Sequence, residues 1–205
     1  MKSVLRAVLC TLPLILISAS LAKTTLQGPP PPPPPPPAAD YSPKSWKEYQ
    51  SESGKFSIKL PGQPKESSTS AESPTGQVTI NSWTHGTASF ITYTISWWDS
   101  PNLTGDAKVI KEALDTLRDK GLATISQVSH KVLKEEDVQV EGYPGKLLFI
   151  EVADKMLIRV KWIIVDKRVY AITVQTRKDP PNAMMSENGY EQIAMSYLNS
   201  FRLLK

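Results

Sequence analysis

The chain has 205 residues, with 24 Lys and Arg against 20 Asp and Glu, two His and one Cys. Basic and acidic residues alternate, and no concentrated basic stripe carries aromatics, which excludes the usual kind of nucleic-acid binder. The one cysteine is Cys10, near the N-terminus, so the rest of the chain has no disulfide, no thiol nucleophile and no thiolate metal ligand.

The first 22 residues, MKSVLRAVLCTLPLILISASLA, read as a secretory signal peptide. Lys2 and Arg6 form a positive start, Ala7 to Ile17 an apolar stretch, and Ser20 and Ala22 the small residues before a cut at Lys23. The apolar stretch is short and is interrupted by Thr11 and Pro13, so it does not suit a membrane span. Lys23 stands where a lipoprotein would need its acylated cysteine. The expectation is a soluble exported protein, periplasmic or secreted, with no membrane insertion after cleavage. A retained leader would make it a tethered module instead.

Residues 23–44 read as a proline-rich linker with nine consecutive prolines, Pro29 to Pro37. Without N–H donors and with φ fixed, they suit a polyproline II rod of about 28 Å. The run is either a docking peptide for an aromatic groove or a stiff spacer. A pure proline run without flanking specificity residues favours the spacer.

Residues 45–205 are long enough for one domain with a core. The stretch KFSIKL alternates, with Phe56, Ile58 and Leu60 inward, between turn signals at Ser53-Gly54 and Pro61-Gly62. QVTINSW and SFITYTISWW flank His85-Gly86, which reads as a hairpin. GDAKVIKEALDTLRDKG carries an apolar stripe of Val109, Ile110, Ala113, Leu114 and Leu117, and Gly121 is placed to end that helix. Ile125 to Val140 is extended and partly polar, which suits a sheet edge. EGYPG turns into KLLFIEV, then KMLIRVKWIIV and VYAITVQT follow, apolar on both faces, as strands covered on both sides are. DPPNAMM breaks the pattern. SENGYEQIAMSYLNSF closes it as a helix with Ile193, Ala194, Tyr197 and Leu198 inward. The fold class is α+β: an antiparallel β-sheet layered between helices.

Several of these stretches together, ESGKFSIKLPGQP, GYPGKLLFIEV, RVKWIIVDKRVYAITVQT and YLNSFRL, resemble exported domains of the PsbP-like superfamily. That group includes the extrinsic protein of photosystem II, the Mog-type Ran-binding proteins and the bacterial DcrB-like proteins. The resemblance spans Trp46 to Leu204. It implies an α/β/α sandwich and a non-catalytic binding or assembly role in an exported bacterial protein. No metal or partner residue of the family matches a position here, so it assigns no site.

Chemistry is sparse. The two histidines, His85 and His130, are isolated, and zinc sites draw three or four ligands from short spacings. His130 alternates with Val128 and Val132 and reads as a structural histidine, while His85 reads as a solvated turn residue. No nucleophile elbow or P-loop occurs. Gly142 and Gly145 are too few to cradle phosphate, and EEDVQVE lacks a calcium-loop glycine. No cofactor and no metal site is expected, and no catalytic motif is found.

The pair Trp97-Trp98 is the informative spot. Neighbours on a strand face opposite ways, so Trp97 joins Ile91, Tyr93 and Ile95 in the core, while Trp98 ends a mostly polar series that includes Phe90. Trp98 either lids the second face or, with Asp99 and Asn102 in the following loop, lines a binding site. Asn102-Leu103-Thr104 is also an N-glycosylation sequon, which matters only in a eukaryotic secretory pathway. The reading is an exported, non-catalytic domain that binds a protein partner or small ligand. The alternatives are an envelope enzyme with a dispersed site and a membrane-tethered structural module.

Overall fold

The computed structural model describes residues 42–73, 76–87, 91–178 and 187–204. The expected leader, the proline run, Phe90 and the DPPNAMM break lie outside the described residues. Ten strands and two helices follow a short 3-10 turn at Pro43–Ser45: β1 (Lys47–Ser51), β2 (Phe56–Leu60), β3 (Lys65–Ser73), β4 (Gly76–Gly86), β5 (Thr92–Asp99), α1 (Ala107–Thr124), β6 (His130–Val140), β7 (Tyr143–Val152), β8 (Met156–Val165), β9 (Arg168–Arg177), α2 (Glu187–Ser200) and β10 (Arg202–Leu203). Seven strands form an antiparallel sheet in the order β3-β4-β5-β9-β8-β7-β6. A smaller sheet has the order β1-β2-β10.

The double-sided hydrophobic pattern of β8 and β9 places them inside the large sheet. They pair from Met156↔Arg177 to Val165↔Arg168 and carry a separate apolar cluster on each face. On one face Ile163, Tyr170, Ile172 and Val174 meet Phe56, Ile58 and Leu60 of β2, and Ile193, Ala194, Tyr197 and Leu198 of α2. On the other, Val160, Trp162, Ile164 and Val169 meet Leu114 and the Val109, Ile110, Ala113 and Leu117 stripe of α1. The helix stripes and the covered strands read from the sequence therefore stand. β6 is the edge strand expected for the segment ending at Val140, with β7 as its ladder partner, although turns occupy residues 125–128 and the strand begins only at His130.

Four expectations change. Gly121 does not end α1, which continues to Thr124 and stops at Ile125. A Cβ at Gly121 would sit 3.3 Å from Trp162, so the glycine serves close helix–sheet approach. His130 is exposed rather than structural, with Nδ1 3.0 Å from the Val128 carbonyl oxygen. His85 is not in a turn. It lies within β4 opposite Tyr93, and its ring stacks on that of Tyr93. In EGYPG only Glu141 and Gly142 reverse the chain, both with positive φ, and Tyr143, Pro144 and Gly145 already belong to β7. Pro144 is tolerated because the β7–β8 ladder starts one residue later, at Gly145↔Ile163.

Charge fastens α1 to the sheet. The Lys146 ammonium on β7 reaches Asp115 of α1 at 3.2 Å and Asp137 and Glu135 of β6 at 2.8 and 3.3 Å. Asp106 caps the helix start, its Oδ1 accepting from the N–H groups of Lys108 and Val109 at 2.8 and 3.1 Å.

Gly145 tests the tightness of the sheet. A Cβ there would lie 2.4 Å from the Trp162 carbonyl oxygen, a backbone atom that cannot swing aside. Gly145→Ala is expected to lower unfolding free energy by about 2 kcal/mol in urea titration. A loss under about 0.5 kcal/mol would show that β7 and β8 part at little cost.

Candidate functional site

The site begins where two ladders end out of step. β4 pairs with β3 from Gly76 to Thr84, but with β5 only from Asn81 to Gly86. β5 runs on to Asp99 along β9, where Asp99 meets Arg168. In an antiparallel ladder, directly hydrogen-bonded pairs recur at every second residue. The Thr87 N–H donates to the Ile91 carbonyl at 2.9 Å, which sets the phase. In that phase Asn81 and Trp97 form the last bonded pair, and the same register, if continued, would set Ile80 opposite Trp98 and make Thr79 and Asp99 the next bonded pair. Thr79 and Asp99 are both exposed, and the pairing of β4 with β5 does not extend to them among the described residues. The sheet forks there.

The fork holds a cleft of about 290 Å³. Gln77, Val78, Thr79 and Asn81 of β4 form one wall, Trp97, Trp98, Asp99 and Pro101 the other, and Ser53 and Arg168 line the rest. Arg168 makes the second wall rigid. Its Nε and Nη2 donate to the two Asp99 carboxylate oxygens at 2.7 and 2.9 Å, and its Nη1 donates to the Ser53 carbonyl at 2.8 Å. A planar fork on a carboxylate fixes direction as well as distance. The same contact holds the Asp99 carboxyl below the usual carboxylate range, with partial burial opposing it. Two residues further along β9, the Tyr170 hydroxyl donates to the Gly54 carbonyl at 2.8 Å, and burial raises its pKa.

Trp98 is half-buried. It packs against the cluster of Leu103, Val160 and Trp162 and also lines the cleft, so the lid reading and the lining reading describe two sides of one ring. Trp97 is core, as its alternation requires. Asn102 is exposed and does not line the cleft, so the structure brings together two of the three site residues read from the sequence. It adds Arg168, Thr79 and Asn81. Arg168 was hidden because it reads as part of a turn, and only the β5–β9 register sets it against Asp99. The cleft offers hydrogen-bond donors and acceptors, one ion pair and the half-buried Trp98 indole. No group of three or more His, Cys, Asp or Glu able to hold a metal occurs among the described residues.

With this sheet order, its two covered faces and the small sheet over one of them, the chain has a PsbP-like fold, α+β and mostly antiparallel. The solution structure of cyanobacterial PsbP (CyanoP) from Synechocystis sp. PCC 6803 matches with a TM-score of 0.50 and 10% identity, covering 77% of this chain and 92% of that one. A Pseudomonas aeruginosa protein of unknown function matches over 74% of this chain and 94% of its own, with 17% identity and a TM-score of 0.36. No family model matches the chain, and neither does any curated protein. At such identities the likeness is one of fold alone.

Arg168→Ala tests the ion pair. A carboxyl with a depressed folded pKa contributes stability above its unfolded value, near 4, and loses it as pH falls through the lower folded value. The variant is expected to lose up to about 1 kcal/mol at pH 7, since the pair is partly exposed. Carbon-detected NMR titration of Asp99 should then return to the ordinary range. An unchanged Asp99 midpoint would mean that the pair does not form in solution.

Proposed function

We propose that this chain acts, after export, as a non-catalytic binding domain whose docking element is the fork between β4 and β5. The observation that supports this most is that the pairing of β4 with β5 stops at Asn81 and Trp97, two residues short of Thr79 and Asp99. Two strand edges that stop pairing with each other offer backbone donors and acceptors to an extended segment of a protein partner. The Trp98 ring gives such a segment an apolar contact beside the polar backbone, as amphipathic aromatics do at interfaces.

A photo-crosslinking side chain placed at Thr79 is expected to give a discrete adduct in the native compartment. The same side chain at Lys108, an exposed position on α1, should give none. Equal labelling at both positions, or none at Thr79, removes the fork from the reading.

Export is tested separately. N-terminal sequencing of the protein from its native host should begin at Lys23, cleaved after Ala22. An intact Met1 would instead favour the tethered module.

A further inference from the structure

Three basic side chains are buried among the described residues: Lys146, Arg159 and Lys161. Buried cations are ordinarily paired. Lys146 has three carboxylates, and Arg159 is paired with Glu191 of α2. Lys161 on β8 has none. Its ammonium donates to the Leu198 carbonyl at 2.8 Å and the Asn199 side-chain oxygen at 3.0 Å, which leaves one of its three N–H groups unused. Those acceptors belong to the last turn of α2, whose negative dipole end accounts for part of the compensation.

A second cation stands beside Lys161. Arg202 of β10 donates through Nη1 to the carbonyls of Asn199 and Phe201 at 2.8 and 2.6 Å and, among the described residues, has no carboxylate partner. Burial and the Arg202 charge together bring the Lys161 pKa down to about 8. Between the two cations and the β6–β7 turn lies a cavity of about 300 Å³. Glu141 also lines it, but the Glu141 carboxylate accepts the Leu203 N–H at 3.2 Å and forms no ion pair with either cation. Val140, half-buried, lines the cavity as well, with Leu198 and Phe201 almost fully buried behind.

We propose that this cavity binds a small organic carboxylate, with its charged end on Lys161 and Arg202 and a short apolar body against Val140. The third Lys161 N–H and the remaining guanidinium N–H groups of Arg202 supply the donors, and the ligand supplies the missing counter-charge. The cavity limits the body to a chain of a few carbons. This proposal does not rest on the reading of the fork as a docking element.

The test uses the protein with its natural N-terminus and hexanoate as the probe. Hexanamide is the uncharged isostere, and inorganic phosphate is an anion without an apolar body. Reductive methylation of Lys161, followed by peptide mass spectrometry, is expected to slow at least tenfold at saturating hexanoate and to remain unchanged with hexanamide. Phosphate should protect far less than hexanoate. Arg202→Gln, which keeps Lys161 and its helix contacts, is expected to weaken hexanoate about tenfold. The proposal falls if hexanamide protects as well as hexanoate, if phosphate matches hexanoate, if hexanoate protects nothing, or if Arg202→Gln leaves its affinity unchanged.

Discussion

The architecture depends on the β8–β9 hairpin being covered on both faces. Successive side chains such as Ile163 and Ile164 point to opposite sides, so each face needs its own partner: α2 and the small sheet on one, α1 on the other. Both clusters form without an internal disulfide, because one hairpin of two 10-residue strands feeds the two at once. The same constraint explains the buried cations. Arg159 and Lys161 alternate with apolar residues on the α2 side, and each reaches outward along its stem to a polar group of that helix.

Coverage is uneven, and the fork follows from that. α1 lies over β7 and β8, and its cluster reaches only as far as Trp98 on β5. Beyond that point the second face of β4 and β5 is hydroxylic, with Ser82 and Ser96 2.7 Å apart and Thr84 and Thr94 3.4 Å apart. A strand packed on one face only is held mainly by its ladder bonds. β4 can therefore leave β5 at Asn81 and remain with β3 without uncovering a second hydrophobic cluster. Trp98 sits at that boundary, which is why one side of its ring is packed and the other lines a cleft.

Whatever depended on short-range periodicity was legible in the sequence. The 3.6-residue stripes from Val109 to Leu117 and from Ile193 to Leu198, the two-sided pattern of β8 and β9, and the split between Trp97 and Trp98 all follow from geometry within one element. What depended on register was not legible. Nothing local distinguishes Arg168 as an Asp99 partner, because their 69-residue separation closes only when β9 returns to β5. Gly121 misled for a related reason: a glycine that permits close packing on Trp162 looks in sequence like one that ends a helix. His130 misled because its alternation with Val128 and Val132 marks a core face only if that face is covered, and at this edge all three are exposed.

The fork and the Lys161 cavity gather at one end of the large sheet, where β5 and β8 end and the β6–β7 turn lies. Between them stands the β1–β2 turn, Glu52 to Lys55. Its Ser53 carbonyl accepts from Arg168 of the fork, and its Lys55 carbonyl accepts the Leu204 N–H just beyond β10, at 3.0 Å. Phe56, which follows the turn, packs on Tyr170 and Phe201 and so joins the base of the fork to the wall of the cavity. Both sites are therefore framed by hydrogen bonds to one short turn, and its position depends in turn on the Phe56 ring being held in the larger core. The rigid centre of the sheet sets the shape of both openings through that single connection.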